Sequence, residues 1–376
     1  MNKEGNIVKN TKTLMAGVAA MSMLALAGCS QGGTETASTA PAAETTTEAA
    51  PAAAAPAPFD QPGVKVAIVQ NSGGGDYFQQ YLNGTKKQAE ALGIDLSVYD
   101  AQGDNATQAT QLDQAIASGV SGIIVRHGFP DTLCPGVNKA LEQGISVVIY
   151  DVEIQTCAPD AVQTQQSDAV MASLVLDQMV TDVGADQMVG YVNVLGIAPL
   201  DRRDVVWNEY VATENWDQLF FTGTYTNSTA TDTAAMVSNA LRANPDVVAI
   251  YAPYDELTKG TLSALEQSPE LKGKVKVYGA DISTADIELM TADGSPWMAT
   301  GATDPNAIGA AVMRTLALNM AGEITKGEKA EFPPILITQD FLKSNNIKNM
   351  VDLRAAEPAL NIADIMSADW IPAVTF

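Results

Sequence analysis

The stretch VKVAIVQNSGGGDYFQQYLNGTKKQAEAL, from Val64 to Leu92, places an apolar run, three consecutive glycines and a segment of helical period in direct succession. This order is typical of the strand, tight turn and helix of an α/β sheet. Such a turn can hold a pyrophosphate on free backbone N–H groups, but that use needs a third glycine in the first helical turn, where Tyr77 and Phe78 stand. The stretch also lacks the Gly-Lys-Ser/Thr sequence of a P-loop. It therefore predicts an α/β fold whose first glycine turn carries aromatic residues instead of a phosphate.

Strand and helix signals alternate along the rest of the chain in two similar series, the pattern of βαβ units and parallel sheets. The first series has predicted strands at Lys65–Val69, Asp95–Tyr99, Gly122–Arg126 and Ser146–Tyr150. The second has predicted strands at Met188–Val192, Leu219–Phe221, Val247–Tyr251, Val275–Tyr278 and Met298–Thr300. Helices are expected between them, among them Pro135–Gln143 and Arg202–Thr213. The fold class predicted is α/β, with two doubly wound parallel-sheet lobes.

The N-terminal part has the features of an export signal followed by a spacer. Residues 1–28 contain a cationic start, a short apolar run and small residues, and Leu26 to Cys29 resembles the bacterial lipobox, which implies a lipid on the Cys29 sulfur. The alternative is an ordinary secretory signal with an incidental cysteine. Residues 29–58 are rich in Ala, Thr and Pro and nearly free of large apolar residues, so they are expected to form a disordered tether. We expect a protein anchored outside the cytoplasmic membrane.

The net charge of the chain limits which binding partners are expected, and its cysteines indicate a disulfide. The net charge of −23 argues against nucleic acid and against adsorption to acidic membranes, leaving the lipid as the expected contact with the membrane. Two cysteines besides Cys29 are present, Cys134 and Cys157, each predicted to lie in a loop after an apolar strand. A disulfide between them is expected in an oxidising compartment, with two free or buried thiols as the alternative. A monomer without cofactor or metal is expected.

Several segments together resemble the type I periplasmic sugar-binding proteins, particularly the ribose-binding branch. They are GDYFQQYLNGTKKQAEALG, GVSGIIVRHG, GISVVIYDVE, ANPDVVAIYAPYDELTKGTLSAL, VKVYGADIS and ATGATDPNAIGA, and the resemblance extends from Val64 to about Gln339. It implies a three-segment hinge, with crossings near Gln166, Thr303 and Pro334. The lobes would then be residues 59–165 plus 303–333 and residues 166–302 plus 334–376.

Residues at predicted strand ends are the candidates for the ligand site, because ligands of open parallel sheets bind beyond the carboxyl ends of the strands. Sugars need charge-assisted hydrogen bonds to their hydroxyls and a flat apolar surface for their C–H face. In the glycine turn the candidates are Asp76, Tyr77 and Phe78, with Phe78 as helix core as the alternative. The resemblance implies that Asp151, Arg203 and Asp281 bond sugar hydroxyls. The remaining candidates depart from the ribose-binding pattern and are Arg126, His127, Glu153, Tyr254 and Thr303.

These departures predict a ligand other than ribose itself: a polyol, a different pentose or hexose, or a sugar acid. Catalysis is not expected, because the chain has a single histidine and no supported catalytic constellation. A glycosidase pair formed by Asp151 and Asp281 would be the enzymatic alternative. A repressor of the same fold would need a DNA-binding headpiece in place of the signal and tether. The function predicted is capture of a monosaccharide or related polyol for the permease of an ABC importer, and the alternative is a sensor that presents its ligand to a chemoreceptor or kinase.

Overall fold

The computed structural model describes residues 54–376, which form two α/β lobes. The predicted signal peptide (1–28), the lipidation site Cys29 and most of the predicted tether (29–58) lie outside the described residues. Strands and helices are numbered below along the chain. The prediction of two doubly wound parallel-sheet lobes is confirmed.

The first lobe is built on a sheet of six parallel strands in the order β11-β5-β4-β3-β1-β2. The strands are β1 Lys65–Gln70, β2 Asp95–Asp100, β3 Gly122–Arg126, β4 Ser146–Tyr150, β5 Val162–Gln166 and β11 Lys329–Phe332. The helices are α1 Asp76–Ala91, α2 Asn105–Ala117, α3 Pro130–Glu142 and α9 Pro305–Met320. The central strands are short runs of β-branched residues buried on both faces, as expected for a parallel sheet covered by helices on both sides.

The second lobe repeats this plan in the order β12-β10-β9-β8-β6-β7, with β12 antiparallel to β10 at one edge. The strands are β6 Met188–Val192, β7 Asp217–Thr222, β8 Ala249–Ala252, β9 Lys276–Ala280, β10 Trp297–Ala302 and β12 Ile335–Thr338. The helices are α4 Asp168–Val183, α5 Ala198–Thr213, α6 Thr229–Ala243, α7 Asp255–Glu266, α8 Thr284–Thr291, α10 Gln339–Ser344 and α11 Met350–Ala356, with short 3-10 helices at Pro269–Leu271 and Pro358–Leu360. Each sheet has a hydrophobic cluster on either face, so each lobe has a core of its own.

The chain passes between the lobes at three neighbouring points, here called the hinge. The connections run from β5 to α4 after Gln166, from β10 to α9 after Ala302, and from β11 to β12 after Phe332. A fourth passage was not predicted. Leu360 still packs in the core of the second lobe, but the residues after it return to the first lobe.

This returning segment corrects the expectation that residues 334–376 belong entirely to the second lobe. Ile362, Ile365 and Phe376 pack against the hydrophobic cluster of the first lobe. The buried Arg314 of α9 donates to the backbone carbonyls of Ile362 and Ile365, each at 2.9 Å. The segment has no strong helix or strand period, so the sequence carried no signal of which lobe it would cover.

Cys134 and Cys157 are paired in a disulfide, with their Cα atoms 5.9 Å apart. Cys157 lies in a loop, but Cys134 lies inside α3, because the helix begins at Pro130 rather than at Pro135. Pro130 is at the first helical position, where proline is tolerated, whereas Pro135 lies inside the helix and removes one intrahelical N–H donor.

Two consecutive elements at the hinge were missing from the sequence prediction. Strand β5 has the polar sequence VQTQQ, yet all five residues are buried and their side chains bond neighbouring polar groups, such as Thr164 Oγ1 to the Ile149 carbonyl at 2.8 Å. Helix α4 buries residues at helical spacing from Met171 to Met179, but its exposed face also carries apolar residues such as Val170, which obscures the pattern in the sequence. Among residues 54–376, none of the helices is both long and apolar enough to cross a membrane.

Candidate functional site

A cavity lies between the two lobes and is lined by residues of both. It lies beyond the carboxyl ends of the strands, next to β1 and β3 in one lobe and β6 and β8 in the other. These are the positions where the strand order reverses, which is where doubly wound sheets bind ligands. The cavity is lined by Asn71, Tyr77, Phe78, His127, Gly128, Phe129, Gln166, Ile197, Pro199, Leu200, Arg203, Tyr225, Tyr254 and Asp281.

The glycine turn brings two aromatic rings to the cavity. Gly75 has φ of 89°, a left-handed conformation that favours glycine, and α1 begins directly after it. Tyr77 and Phe78 in the first helical turn both line the cavity. The Tyr77 hydroxyl shares a hydrogen bond with the hydroxyl of Tyr150, which holds its ring, and the Phe78 ring meets the His127 ring edge-on with centroids 5.2 Å apart. Phe78 also packs in the core of the first lobe. It is therefore both a core residue of the helix, which was the alternative prediction, and a lining residue of the cavity.

Arg126 does not line the cavity and corrects a sequence prediction. It is fully buried beneath the glycine turn, where it donates to the Phe78 carbonyl at 3.2 Å and to the Ser72 carbonyl. Its guanidinium also lies over the rings of Phe78 and Tyr81, at 4.8 and 4.9 Å from their centroids. Arg126 therefore fixes the backbone and the ring that the ligand would meet. Sequence reasoning could not tell this role from direct contact, because both use a strand-end arginine.

Three strand-end residues have left-handed backbone conformations. Two of them line the cavity, whereas Asp151, which was also predicted to contact the ligand, is not among the lining residues and accepts from Arg202. His127 follows β3, Asp151 follows β4 and Asp281 follows β9, with φ of 54°, 54° and 74°. Non-glycine residues rarely adopt this conformation, and they concentrate at functional sites. His127 Nε2 lies 3.8 Å from Asp151 Oδ2. Burial, aided by the Arg126 charge, lowers the pKa of His127 well below its usual value, so the imidazole is neutral at physiological pH.

The two aspartates are buried and carry oxygen atoms that lack protein partners. Asp151 is 1% exposed and Asp281 4% exposed. Burial raises the pKa of Asp151 to about 7, with the Asp168 charge adding to it, and burial raises the pKa of Asp281 to about 6. Among the described residues, Asp151 Oδ2, Asp281 Oδ1 and His127 Nδ1 have no hydrogen-bond partner. Buried polar atoms are rarely left unpaired, so the two of these atoms that belong to lining residues, Asp281 Oδ1 and His127 Nδ1, are free to bond a ligand.

Two adjacent arginines lie near the start of α5, and only the second of them was predicted from the sequence as a site residue. Arg203 lines the cavity as predicted, held by Asp168 Oδ1 at 2.7 Å and by the Pro253 carbonyl at 2.5 Å. Its neighbour Arg202 was missed. It reaches across the cleft to bond Asp151 and Glu153 of the first lobe, each at 2.5 Å, and it also bonds Asp168. Burial by itself would lower the pKa of both arginines, but the surrounding carboxylates outweigh it and raise them.

The structure gives Glu153 and Thr303 roles away from the cavity lining, contrary to the sequence prediction. The Glu153 side chain is 52% exposed and ends on Arg202. The Thr303 hydroxyl donates to Gln166 Oε1 at 2.7 Å, which ties two hinge segments together and leaves Gln166 as the residue that faces the cavity. Arg202 stands directly beside the predicted Arg203, whereas Gln166 was predicted only as a hinge crossing.

Asp76 also lies outside the cavity and joins the lobes. Its Oδ2 accepts from Lys259 Nζ of α7 at 2.9 Å and from the Ser283 hydroxyl at 3.1 Å, both in the second lobe. Lys259 Nζ lies 2.9–3.2 Å from four carboxylates, those of Asp76, Asp255, Glu256 and Asp286. Three of these carboxylates are close enough together to ligate a metal ion, but the Lys259 ammonium already neutralises that position. We therefore treat the cluster as a contact between the lobes.

The sequence prediction missed the apolar part of the lining. Tyr254 was predicted and lines the cavity while 8% exposed. Five further apolar or aromatic residues line it without having been predicted: Phe129, Ile197, Pro199, Leu200 and Tyr225. They lie in loops or at helix starts, where single apolar residues give no periodic pattern.

Two lobes joined by a three-segment hinge, with a cavity between their strand ends, define the class of two-lobed solute-binding proteins. Residues 66–324 match the family described as periplasmic binding protein domain, and the chain belongs to this family. It is 25% identical over 268 residues to the ribose import binding protein of Salmonella typhimurium, covering 71% of this chain and 86% of that protein.

Solved structures similar to this chain are also sugar transporter proteins. A 5-methylthioribose transporter solute binding protein from Thermotoga lettingae, in complex with 5-methylthioribose, superposes with a TM-score of 0.79 and 34% identity, covering 84% of this chain and 98% of that one. A sugar ABC transporter protein from Yersinia enterocolitica has a TM-score of 0.78 and 29% identity, covering 83% and 94%. The family consists of substrate-binding proteins of ABC transporters and not of enzymes, which confirms the prediction of a binding protein.

Proposed function

We propose that this protein captures a monosaccharide or related polyol between its lobes and delivers it to the permease of an ABC importer. The observation that carries the proposal is the interlobe cavity, whose lining includes the unpartnered buried atoms of Asp281 and His127 together with the aromatic residues Phe78 and Tyr254. Carboxylates accept strongly from hydroxyls, and aromatic faces cover the C–H side of a sugar ring. No nucleophile or acid–base pair is needed for this activity.

Each lining group has a role in the proposed complex. Asp281 accepts a hydrogen bond from one hydroxyl and Arg203 donates to an oxygen from the same lobe. In the first lobe, the unpartnered Nδ1 of neutral His127 forms a hydrogen bond with another hydroxyl. Phe78 covers the apolar face of the ring. Because these groups come from both lobes, a ligand that touches them favours the closed arrangement by its differential affinity for it.

The relatives support a pentose or pentose derivative as the ligand. One relative is a ribose import binding protein, and the solved structure with 34% identity holds 5-methylthioribose. We therefore name 5-methylthioribose and ribose as the first two probes. A single chain supplies both walls of the cavity, so we expect a monomer to be the binding unit.

We further propose that the protein works outside the cytoplasmic membrane, held there by a lipid on Cys29. The lipobox-like sequence and the tether composition support this. Fractionation of cells expressing the protein tests the anchor: Cys29→Ala is expected to move the protein from the membrane fraction to the soluble fraction or to leave it unprocessed. Unchanged processing and membrane retention of the variant would contradict the anchor.

Binding and delivery need separate tests. A thermal-shift screen of pentoses, hexoses, polyols and 5-methylthioribose, followed by calorimetry on the compounds that stabilise the protein, tests binding. Deleting the gene and measuring uptake of the labelled ligand tests delivery. Saturable binding with lost uptake is expected. Binding with normal uptake would contradict delivery to an importer and favour a sensor, whereas no binding in the whole panel would contradict a sugar or polyol ligand.

A further inference from the structure

Arg202 is bonded to carboxylates of both lobes through all three nitrogens of its guanidinium group. Within the second lobe, its Nε and Nη2 donate to Asp168 Oδ2 at 2.8 and 2.6 Å. Across the cleft, Nη2 donates to Asp151 Oδ1 and Nη1 donates to Glu153 Oε1, each at 2.5 Å. The two bonds across the cleft, here called the Arg202 bridge, can exist only while the lobes are closed.

The Arg202 bridge is largely shielded from water. The Arg202 side chain is 19% exposed, and the side chains of Asp151 and Asp168 are 0% exposed. Ion pairs at an exposed surface contribute little to stability, whereas removing one partner of a buried pair is costly because it leaves the other charge without compensation. Glu153 is 52% exposed, so its bond is expected to be the weaker of the two.

Opening the lobes separates Arg202 from Asp151 and Glu153 but not from Asp168. Asp168 is the first residue of α4, which packs against α5, the helix of Arg202, within the second lobe. The guanidinium therefore keeps a charged partner when the lobes part. The Arg202 bridge is thus suited to form and break with each closing and opening.

The neighbours of the bridge line the cavity, although Arg202 itself is not among the lining residues. In the second lobe, Asp168 accepts from Arg203 Nε through its other oxygen, Oδ1, at 2.7 Å. In the first lobe, His127 Nε2 lies 3.8 Å from Asp151 Oδ2. A ligand that contacts Arg203 and His127 therefore favours the same closed arrangement as the bridge.

We propose that Arg202 is a positioning residue that keeps the lobes closed on the bound ligand, acting through Asp151 and Glu153 without touching the ligand itself. The inference rests on the proposed function and adds the residue that controls how long the sugar stays bound. A bridge that forms after the sugar has entered the open cleft slows its departure and leaves its entry unchanged. Because Arg202 acts on the lobes, its removal affects every bound sugar by the same factor.

Stopped-flow kinetics of Arg202→Met tests the inference, because methionine keeps a long unbranched side chain and removes the charge. The probes are ribose and 5-methylthioribose, or the two tightest-binding sugars of the thermal-shift screen. We expect both to dissociate about 10- to 100-fold faster, with association rates little changed. Arg202→Lys keeps the charge but lacks the fork that bonds two carboxylates at once, so its rate should lie between those of the parent and Arg202→Met. Arg242→Met, at an exposed position of α6, is the matched control and should behave as the parent.

Glu153→Gln tests the bridge from the other lobe, at a half-exposed position where the fold is not at risk. By itself it should speed dissociation by about 2- to 5-fold. Combined with Arg202→Met it should add nothing, because the partner of Glu153 is already gone.

The outcomes separate the inference from the proposed function. A parental dissociation rate in Arg202→Met overturns the inference, and so does a loss confined to one sugar, because that would show direct contact. Additive effects of the two substitutions also overturn it, and in each of these cases sugar capture still stands. If Arg202→Met does not fold, a parental dissociation rate in Glu153→Gln overturns the inference instead. If the parent binds no sugar or polyol, the proposed function fails and the inference fails with it.

Discussion

The substitution Asp281→Asn is expected to weaken ligand binding and to stabilise the free protein at the same time. Asparagine matches aspartate in shape and tolerates the left-handed conformation of this position, where φ is 74°. The backbone is held independently of the side chain, by the bond from its N–H to the Gly301 carbonyl at 2.8 Å and from the Thr300 hydroxyl to its carbonyl at 2.8 Å. Arg203 keeps its bond to Asp168. The change therefore removes the charge with little other disturbance.

The loss of affinity follows from the hydrogen bond that the carboxylate offers. A hydrogen bond to a charged group contributes about 1.5–3 kcal/mol, which corresponds to a loss of about 10- to 150-fold in affinity. Calorimetry at pH 7.5 with the tightest-binding sugar measures this. Asp217→Asn, an exposed acid at the start of β7, is the control and is expected to bind normally.

The gain in stability follows from the pKa of Asp281, which burial raises to about 6 against about 3.9 in an unfolded chain. Above pH 6 the folded protein bears the cost of a buried charge, up to about 3 kcal/mol. Below pH 4 the carboxyl is protonated in both states and the cost disappears. Asp281→Asn should therefore be more stable than the parent at pH 7.5, with a difference that shrinks as the pH falls from 6 to 4. Near-normal affinity, or a variant less stable at pH 7.5, would refute the reasoning.

Two further predictions concern the lobe contact and the disulfide. Asp76→Asn removes a half-exposed partner of Lys259 across the lobes, so we expect affinity to fall only about 2- to 5-fold and the compaction seen by X-ray scattering to decrease; a loss as large as that of Asp281→Asn would show that Asp76 touches the ligand. Replacing Cys134 and Cys157 together by serine should lower the free energy of unfolding by about 2–4 kcal/mol in chemical denaturation with binding unchanged, since the bond closes a loop with a sequence separation of 23 residues. Two alkylated thiols in the unreduced, denatured parent would contradict the bond.

The fold could be predicted because its main elements have strong periodic signals. Buried strands such as β3, GIIVR, and amphipathic helices such as α1 were recognised with bounds within a few residues. The hinge elements were not. Strand β5 buries glutamines that bond one another, so its sequence resembles a loop until the neighbouring strands are known.

The candidate site was predicted only in part, because position at a strand end does not fix what a side chain touches. Asp281 and Arg203 line the cavity as expected, whereas Arg126 points beneath the glycine turn and Asp76 points to the opposite lobe. A strand-end charge can bond a ligand, a backbone or another lobe, and the choice depends on packing. The apolar lining was missed for a related reason: Leu200 at a helix start is indistinguishable in sequence from an ordinary core residue.

The crystal structure of the protein with its tightest-binding sugar tests the central claim most directly. The account predicts one sugar between closed lobes, with a hydroxyl within hydrogen-bond distance of Asp281 and a ring face against Phe78. A sugar bound outside the interlobe cavity, or inside it without contact to either Asp281 or Asp151, would contradict the account.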